Sequence, residues 1–259
     1  MSVIFNLNYI KTYDKIVPRY IKMHKNFLFD LDGTLLPMDL KQFIELYLKA
    51  FCQKFAHKVQ IDPQTLVKGI WEGAAAMGRN DGDCLNRELF WRALSRRCKK
   101  DMRLYEKDFD EFYRNEFVAA KIATRANPYA EKTVKLLKNS GCRLVVATNP
   151  IFSKAATYTR IRWAGLDPND FDLITVYDNC SACKPNLNYY HDICSFCGFP
   201  PESAIMVGND VDEDMCAEKL GIDTFLVTDC LINRHDRSIS KYKRGSFEDF
   251  YNWLIDSGY

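Results

Sequence analysis

The 259-residue chain contains no run of about eighteen apolar residues, so no stretch of it reads as a membrane-spanning helix. Net charge is scarce. The 36 Lys and Arg against 34 Asp and Glu leave +2, too small a surplus to point to nucleic acid, and no block of like charge stands out. The short cluster Lys241, Lys243, Arg244 reads as a solvated loop. No internal repeat or low-complexity segment is present. The apolar core of a secretory signal is also missing, because residues 1–22 mix Asn6, Asn8, Lys11, Asp14 and Lys15 among their apolar positions. This leader, ending just before Met23, reads as an appendage or an upstream start with little part in chemistry. Without a signal, the ten cysteines read as thiols of a reducing cytoplasm rather than as a disulfide framework. Histidine is sparse too. His24, His57, His191 and His235 are scattered, and none has a partner at metal-ligand spacing.

What is present suits a well-packed globule: 47% hydrophobic and 14% aromatic residues, in a length that fits one large domain or a core with an insertion. The most informative stretch is Phe27-Leu28-Phe29-Asp30-Leu31-Asp32-Gly33-Thr34-Leu35. A short apolar run stopped by a turn signal is the mark of a buried strand in a parallel sheet. Ligands bind in the crevice beyond the carboxyl ends of such strands, which is where Asp30 and Asp32 fall. Two carboxylates this close repel each other, so either their environments separate their roles or a cation holds them together.

After Leu35 the rhythm turns helical. Leu40, Phe43, Ile44, Tyr47, Leu48 and Phe51 mark one amphipathic helix, and runs over 63–76, 85–98 and 106–121 follow, with Gly78 to Gly82 as a loop. No strand is expected between about Asp39 and Arg125. From Asn127 onward, strands and helices alternate. Helices are expected over 128–139, 153–164, 187–197, 212–220 and 247–254, and strands over 143–147, 171–177, 204–207 and 224–227. This alternation predicts an α/β fold with a doubly wound parallel sheet, interrupted after its first strand by an all-helical insertion. The expected division is a core of 23–37 and 126–259 with a helical cap at 38–125.

Reactive residues collect where the strands end: Asp30 and Asp32, then Thr148-Asn149, then Lys184 before the next helix, then Gly208-Asn209-Asp210 with Asp212 and Asp214 behind. A parallel sheet brings these ends to one edge. Clustered carboxylates bind hard cations, and Mg²⁺ takes one or two of them with waters and a substrate phosphate. A lysine and a hydroxyl supply charge and hydrogen bonds to phosphate oxygens. A carboxylate can attack phosphorus and split the reaction in two.

Asp30-Leu31-Asp32-Gly33-Thr34 resembles the DxDGT signature of the haloacid dehalogenase (HAD) superfamily. Thr148, Lys184 and the Asp210/Asp214 region resemble its second, third and fourth motifs in order, over about Asn26 to Val227, and the insertion looks like its helical cap of the first type. The resemblance implies a Mg²⁺-dependent phosphatase acting on a small phosphorylated metabolite through an aspartyl-phosphate. Asp30 would be the nucleophile and a metal ligand. Asp32 would be the general acid and then base, with its backbone carbonyl on the metal. Thr148 would hydrogen-bond the phosphoryl group, with Asn149 beside it. Lys184 would neutralise charge, and Asp210 and Asp214 would hold the metal and the lysine. Many relatives have Gly-Asp where this chain has Gly208-Asn209-Asp210, so Asn209 and Asp210 compete for one ligand position. In the loop between cap helices, Arg79, Asn80 or the nearby Lys68 are candidates to touch substrate; a solvated connection is the alternative.

Three other readings are weighed against this one. Dehalogenases of the superfamily need neither Mg²⁺ nor the second aspartate as acid, and Asp32 argues against them. A phosphomutase of the β-phosphoglucomutase kind shares the core motifs. The pairs Cys180/Cys183 and Cys194/Cys197 have near-zinc-site spacing, which suggests a non-catalytic, zinc-stapled binding protein. Buried thiols are the competing explanation. Trp71 and Trp91 read as packing residues. The motifs leave the phosphate ester open among phosphosugars, phosphoglycolate and nucleotides.

Overall fold

A computed structural model describes residues 23–259; the leader expected at 1–22 lies outside the described residues. Six strands form one sheet: β1 (Asn26–Phe29), β2 (Arg143–Val146), β3 (Leu173–Ile174), β4 (Ala204–Gly208), β5 (Asp223–Val227) and β6 (Lys243–Gly245). Their order is β3-β2-β1-β4-β5-β6, with all neighbours parallel. The chain therefore reverses its direction of winding at β1, and the crevice between the ends of β1 and β4 is the topological switch point. The register sets Phe29 beside Val146 on one side and Val207 on the other, so the residues that follow all three strands meet at one edge.

The alternation of side chains along these strands builds two cores. Phe27, Phe29, Leu144, Val146, Ile205 and Val207 face one side. There they meet α5 (Pro128–Asn139), α6 (Lys154–Trp163) and α8 (Phe247–Asp256). Leu28, Val145 and Met206 face the other side, against Tyr189, Tyr190 and Ile193 of α7 (Leu187–Cys197). Strands buried on both faces have to be apolar throughout, which is why they were legible as short hydrophobic runs.

Between β1 and α5 comes a helical layer: α1 (Leu40–Val59), α2 (Pro63–Gly78), α3 (Asn86–Cys98) and α4 (Glu106–Arg114). Asp39 and Asp62 cap α1 and α2 by accepting from Gln42 and Thr65 N–H. Phe43, Tyr47, Phe51 and Phe55, spaced four apart on α1, bury one stripe against Phe109, Phe112 and Phe117. Each such ring contributes roughly 1.5–3 kcal/mol by leaving water. This aromatic core continues into the sheet layer through Ala156, Tyr177 and Cys183.

Four expected elements differ in form. The helix expected over 106–121 breaks at Asn115 (φ −116°, ψ −85°) and resumes as a 3₁₀ helix over Glu116–Ala123. That break lets Phe117 stack on Trp163 of α6, with centroids 4.9 Å apart. The strand expected over 171–177 is regular only at Leu173–Ile174. Thr175 keeps one ladder bond to Val146 and turns its hydroxyl to the Thr148 carbonyl. The helix expected over 212–220 is a 3₁₀ helix confined to Met215–Leu220, because Asp210 holds residues 212–214 in a turn. Lys243 and Arg244, expected in a loop, lie on the edge strand β6. No apolar run announced that strand. Its Lys243 Nζ sits 4.1 Å over the Trp253 ring. Among the described residues, no helix is long and apolar enough to cross a membrane.

Candidate active site

The end of β1 creates the first part of the site. Asp30 N–H still donates to Val207 O at 2.9 Å, so Asp30 leaves the sheet in β1–β4 register. The chain then folds back sharply, with Gly33 N–H on Leu36 O and Leu36 N–H on Leu31 O, both at 2.8 Å. Gly33 has φ +90°, and a Cβ there would lie 2.4 Å from Asn209 Nδ2. Only glycine meets both demands. Asn209, which follows β4, is thus packed directly on the Asp30 loop. Thr34, fully buried, donates its hydroxyl to Asn209 Oδ1 at 3.1 Å and lies 3.4 Å from Asp30 Oδ2.

Lys184, on the loop before α7, donates from Nζ to Asp30 Oδ1 at 3.0 Å and to Asp214 Oδ1 at 2.6 Å. Burial alone would lower its pKa, but Asp214 and Asp30 beside it hold it protonated well above the usual lysine value. Asp214 Oδ2 accepts from Asp210 N–H at 2.9 Å. A Cβ at Gly208 would come within 2.2 Å of that oxygen, so Asp214 can lie against β4 only because position 208 has no side chain. Burial raises the Asp30 pKa; Lys184 opposes the rise, and Asp214 and Asp32 add to it.

Asp32 stands on the other flank. Its Oδ2 is ion-paired with Arg160 of α6, and its Oδ1 is buried without a hydrogen-bond partner. Arg160 is fully buried, with its guanidinium 4.2 Å over the Phe152 ring. Burial raises the Asp32 pKa, while Arg160 and then Lys184 pull it down. Sequence reasoning missed Arg160. The available signal was a cation sharing the core-facing stripe of a helix with Ala156 and Ile161.

Thr148 and Asn149 follow β2. The Thr148 carbonyl is fixed by the Thr175 and Tyr189 hydroxyls at 2.8 and 2.9 Å. Asn149 donates to Glu213 Oε2 at 2.9 Å and leaves its own Oδ1 buried and unpartnered. Asn86, at the start of α3, donates to Pro150 O, Ala182 O and Cys183 Sγ, and so staples the helical layer to the loops bearing Thr148 and Lys184.

Several candidates do not join this cluster. Asp210 Oδ1 accepts from Asp212 and Glu213 N–H at 2.9 and 3.0 Å, and its Oδ2 pairs with Arg234 at 2.5 Å, so the carboxylate is spent on its own turn. Asp214 does join it through Lys184, with both of its oxygens engaged, as above. Arg79 and Lys68 are exposed, and neither lines the two cavities that Asp32 lines. Asn80 is buried but bonds Cys84 O and Asn86 Oδ1, which shapes the loop. The cysteine pairs do not converge either. Cys183 accepts from Asn86, Cys180 lies against Asn179, and Cys194 packs under the sheet with Ile193 and Phe199. Burial pushes Cys180 and Cys183 up to about 12. Among the described residues, no group of three or more His, Cys, Asp or Glu side chains could hold a metal. The oxygen donors that do meet are the Asp30 carboxylate and the Asn209 amide, bridged by Thr34. A hard, oxygen-only set with one carboxylate fits Mg²⁺, which keeps waters and a substrate phosphate for its other positions.

A doubly wound sheet with acid residues at its switch point and a helical insertion after the first strand defines an α/β hydrolytic scaffold. Residues 24–221 match the haloacid dehalogenase-like hydrolase family, and the chain belongs to it. It is 25% identical over 205 residues to a phosphoglycolate phosphatase of Nitrosospira multiformis, covering 78% of this chain and 82% of that one. Its fold is similar to that of a HAD phosphatase from Thermococcus onnurineus (TM-score 0.56, 20% identity, 89% of this chain and 97% of that one). It is also similar in fold to a putative HAD-hydrolase of Bacillus subtilis bound to magnesium (TM-score 0.52, 19% identity, 90% and 99%).

Proposed function

We propose that the protein is a Mg²⁺-dependent phosphatase that hydrolyses a small phosphomonoester through an aspartyl-phosphate on Asp30. The observation that carries this reading is Lys184 bridging Asp30 and Asp214 at the switch point, with Asp32 held alongside by Arg160. In the first step Asp30 attacks phosphorus as the bond to the leaving oxygen breaks, and Asp32 gives that oxygen its proton. Burial favours the protonated Asp32 that this needs, and Arg160 steadies the anion left behind. In the second step Asp32 takes a proton from water, the water oxygen bonds to phosphorus, and the acyl-phosphate bond to Asp30 breaks. Thr148, Asn149 and Lys184 hold the phosphoryl oxygens.

Asp30, the Asp32 carbonyl and the Asn209 amide oxygen would hold Mg²⁺. When bound, the ion supplies positive charge that offsets repulsion between the Asp30 carboxylate and the phosphate. Asp214 positions Lys184, and Asp210 builds the turn that places Asn209. The similar fold of a magnesium-bound relative supports the choice of ion. Residues 38–125 act as the cap over a core of 23–37 and 126–259. Ten unpaired cysteines favour a cytoplasmic location.

Asp30→Asn should abolish phosphate release while leaving the melting transition intact; turnover within tenfold of the parent overturns the mechanism. Asp32→Asn should slow turnover by about 10²–10⁴-fold, the usual worth of acid–base assistance.

A further inference from the structure

Asp32 forms one wall of a cavity of about 150 Å³ between the helical layer and the sheet layer. Its other walls are Ile44 and Leu48 of α1, Ile70, Ala74 and Met77 of α2, and Phe152 beyond β2. Apart from Asp32, its polar groups are the hydroxyls of Tyr47 and Tyr113, which bond each other at 3.1 Å, and the indole N–H of Trp71. The nearby Arg160 does not line the cavity; it pairs with Asp32 and is covered by Phe152, with its Nε buried and unpartnered. The rim is apolar as well, with Trp71 50% and Leu40 43% exposed.

We propose that this cavity receives the leaving group of the substrate, and that the group is apolar: a single aromatic ring or an alkyl chain of similar bulk. The inference rests on the phosphatase reading above, because it uses Asp32 as the residue that protonates the leaving oxygen. The atom bonded to that oxygen has to lie beside Asp32, and the more sheltered of the two cavities beside Asp32 is hydrocarbon-lined. A sugar hydroxyl, a glycolate carboxylate or a second phosphate placed there would lose its water against walls that are mostly hydrocarbon, with one tyrosine hydroxyl hydrogen and the Trp71 indole N–H as the donors in the lining, which is costly. The volume agrees, since an apolar protein cavity of about 150 Å³ accepts one benzene. The second opening on Asp32 is wider and of mixed lining, with Asp39, Arg125 and Asn209 beside apolar residues, and it is where a polar leaving group would have to go.

The test is kcat/KM of the full chain with Mg²⁺ for n-alkyl phosphates from ethyl to hexyl, together with benzyl phosphate, glycerol phosphate and phosphoglycolate. Leaving-group acidity barely changes along the alkyl series, so the trend reads burial. Each methylene should raise kcat/KM about fourfold until the cavity fills, and benzyl phosphate should exceed glycerol phosphate by roughly a hundredfold. A flat series, or faster turnover of glycerol phosphate or phosphoglycolate, overturns this inference and leaves the phosphatase reading standing. Turnover of none of these esters overturns that reading, and this inference with it. Ala74→Phe, which fills the cavity, should flatten the chain-length slope; a slope still near fourfold refutes the assigned location. A thermal melt checks that this variant folds, and the series on the unaltered chain decides the matter on its own.

Discussion

Replacing Arg160 by methionine keeps the length and apolar stem of the side chain and deletes its charge. Arg160 is fully buried, and the Asp32 side chain it pairs with is 24% exposed, so the deletion leaves a mostly buried carboxylate without its cation. Breaking a buried pair from one side costs about 3–5 kcal/mol. The lost stacking over Phe152 at 4.2 Å adds about 0.5–2 kcal/mol. Uptake of a proton by Asp32 limits the total to the lower part of that range, because burial already raises its pKa. A loss of about 3–5 kcal/mol in a chain of this size lowers Tm by about 6–20 °C. Differential scanning calorimetry of the parent, Arg160→Met, Asp32→Asn and the double variant measures this directly. In the double variant the orphaned charge is gone, so its Tm should lie above that of Arg160→Met, giving a coupling of about 1–3 kcal/mol. If Arg160→Met melts within about 2 °C of the parent, or if the two losses simply add, the pair does not hold Asp32 and the role given to Arg160 is wrong.

Two other variants probe the opposite flank. Gly208→Ala places a methyl group 2.2 Å from the present position of Asp214 Oδ2, so Asp214 has to leave Lys184; turnover should fall at least tenfold in a phosphate-release assay, together with a stability loss of about 1–3 kcal/mol. Asn209→Asp adds a carboxylate next to Asp30 and should lower the Mg²⁺ concentration for half-maximal activity, whereas Asn209→Ala should raise it; an unchanged Mg²⁺ titration in both removes Asn209 from the ligand set.

Much of the site was legible because strands buried on both faces must be apolar, and Phe27–Phe29, Leu144–Val146 and Ile205–Val207 betray their ends wherever a polar residue stops the run. Parallel pairing then forces Asp30, Thr148 and Asn209 to one edge whatever the details of packing. The first helix of the insertion was equally plain from the helical spacing of Leu40, Phe43, Ile44, Tyr47, Leu48 and Phe51. The turn of Asp210 was not visible in this way. Asn209 and Asp210 are adjacent and both offer oxygen, and no local pattern announces that the Asp210 carboxylate is engaged by Asp212, Glu213 and Arg234.

The sequence by itself determined which chemical groups are available and that they share a sheet edge, since both follow from composition and hydrophobic periodicity along the chain. Tertiary structure alone decided their pairing: Arg160 with Asp32 across 128 positions, Lys184 between Asp30 and Asp214, the cysteines held apart, and an apolar cavity above Asp32. Ion pairs and cavity walls are formed by side chains distant in sequence, and no local pattern records which of many charged or apolar residues will meet.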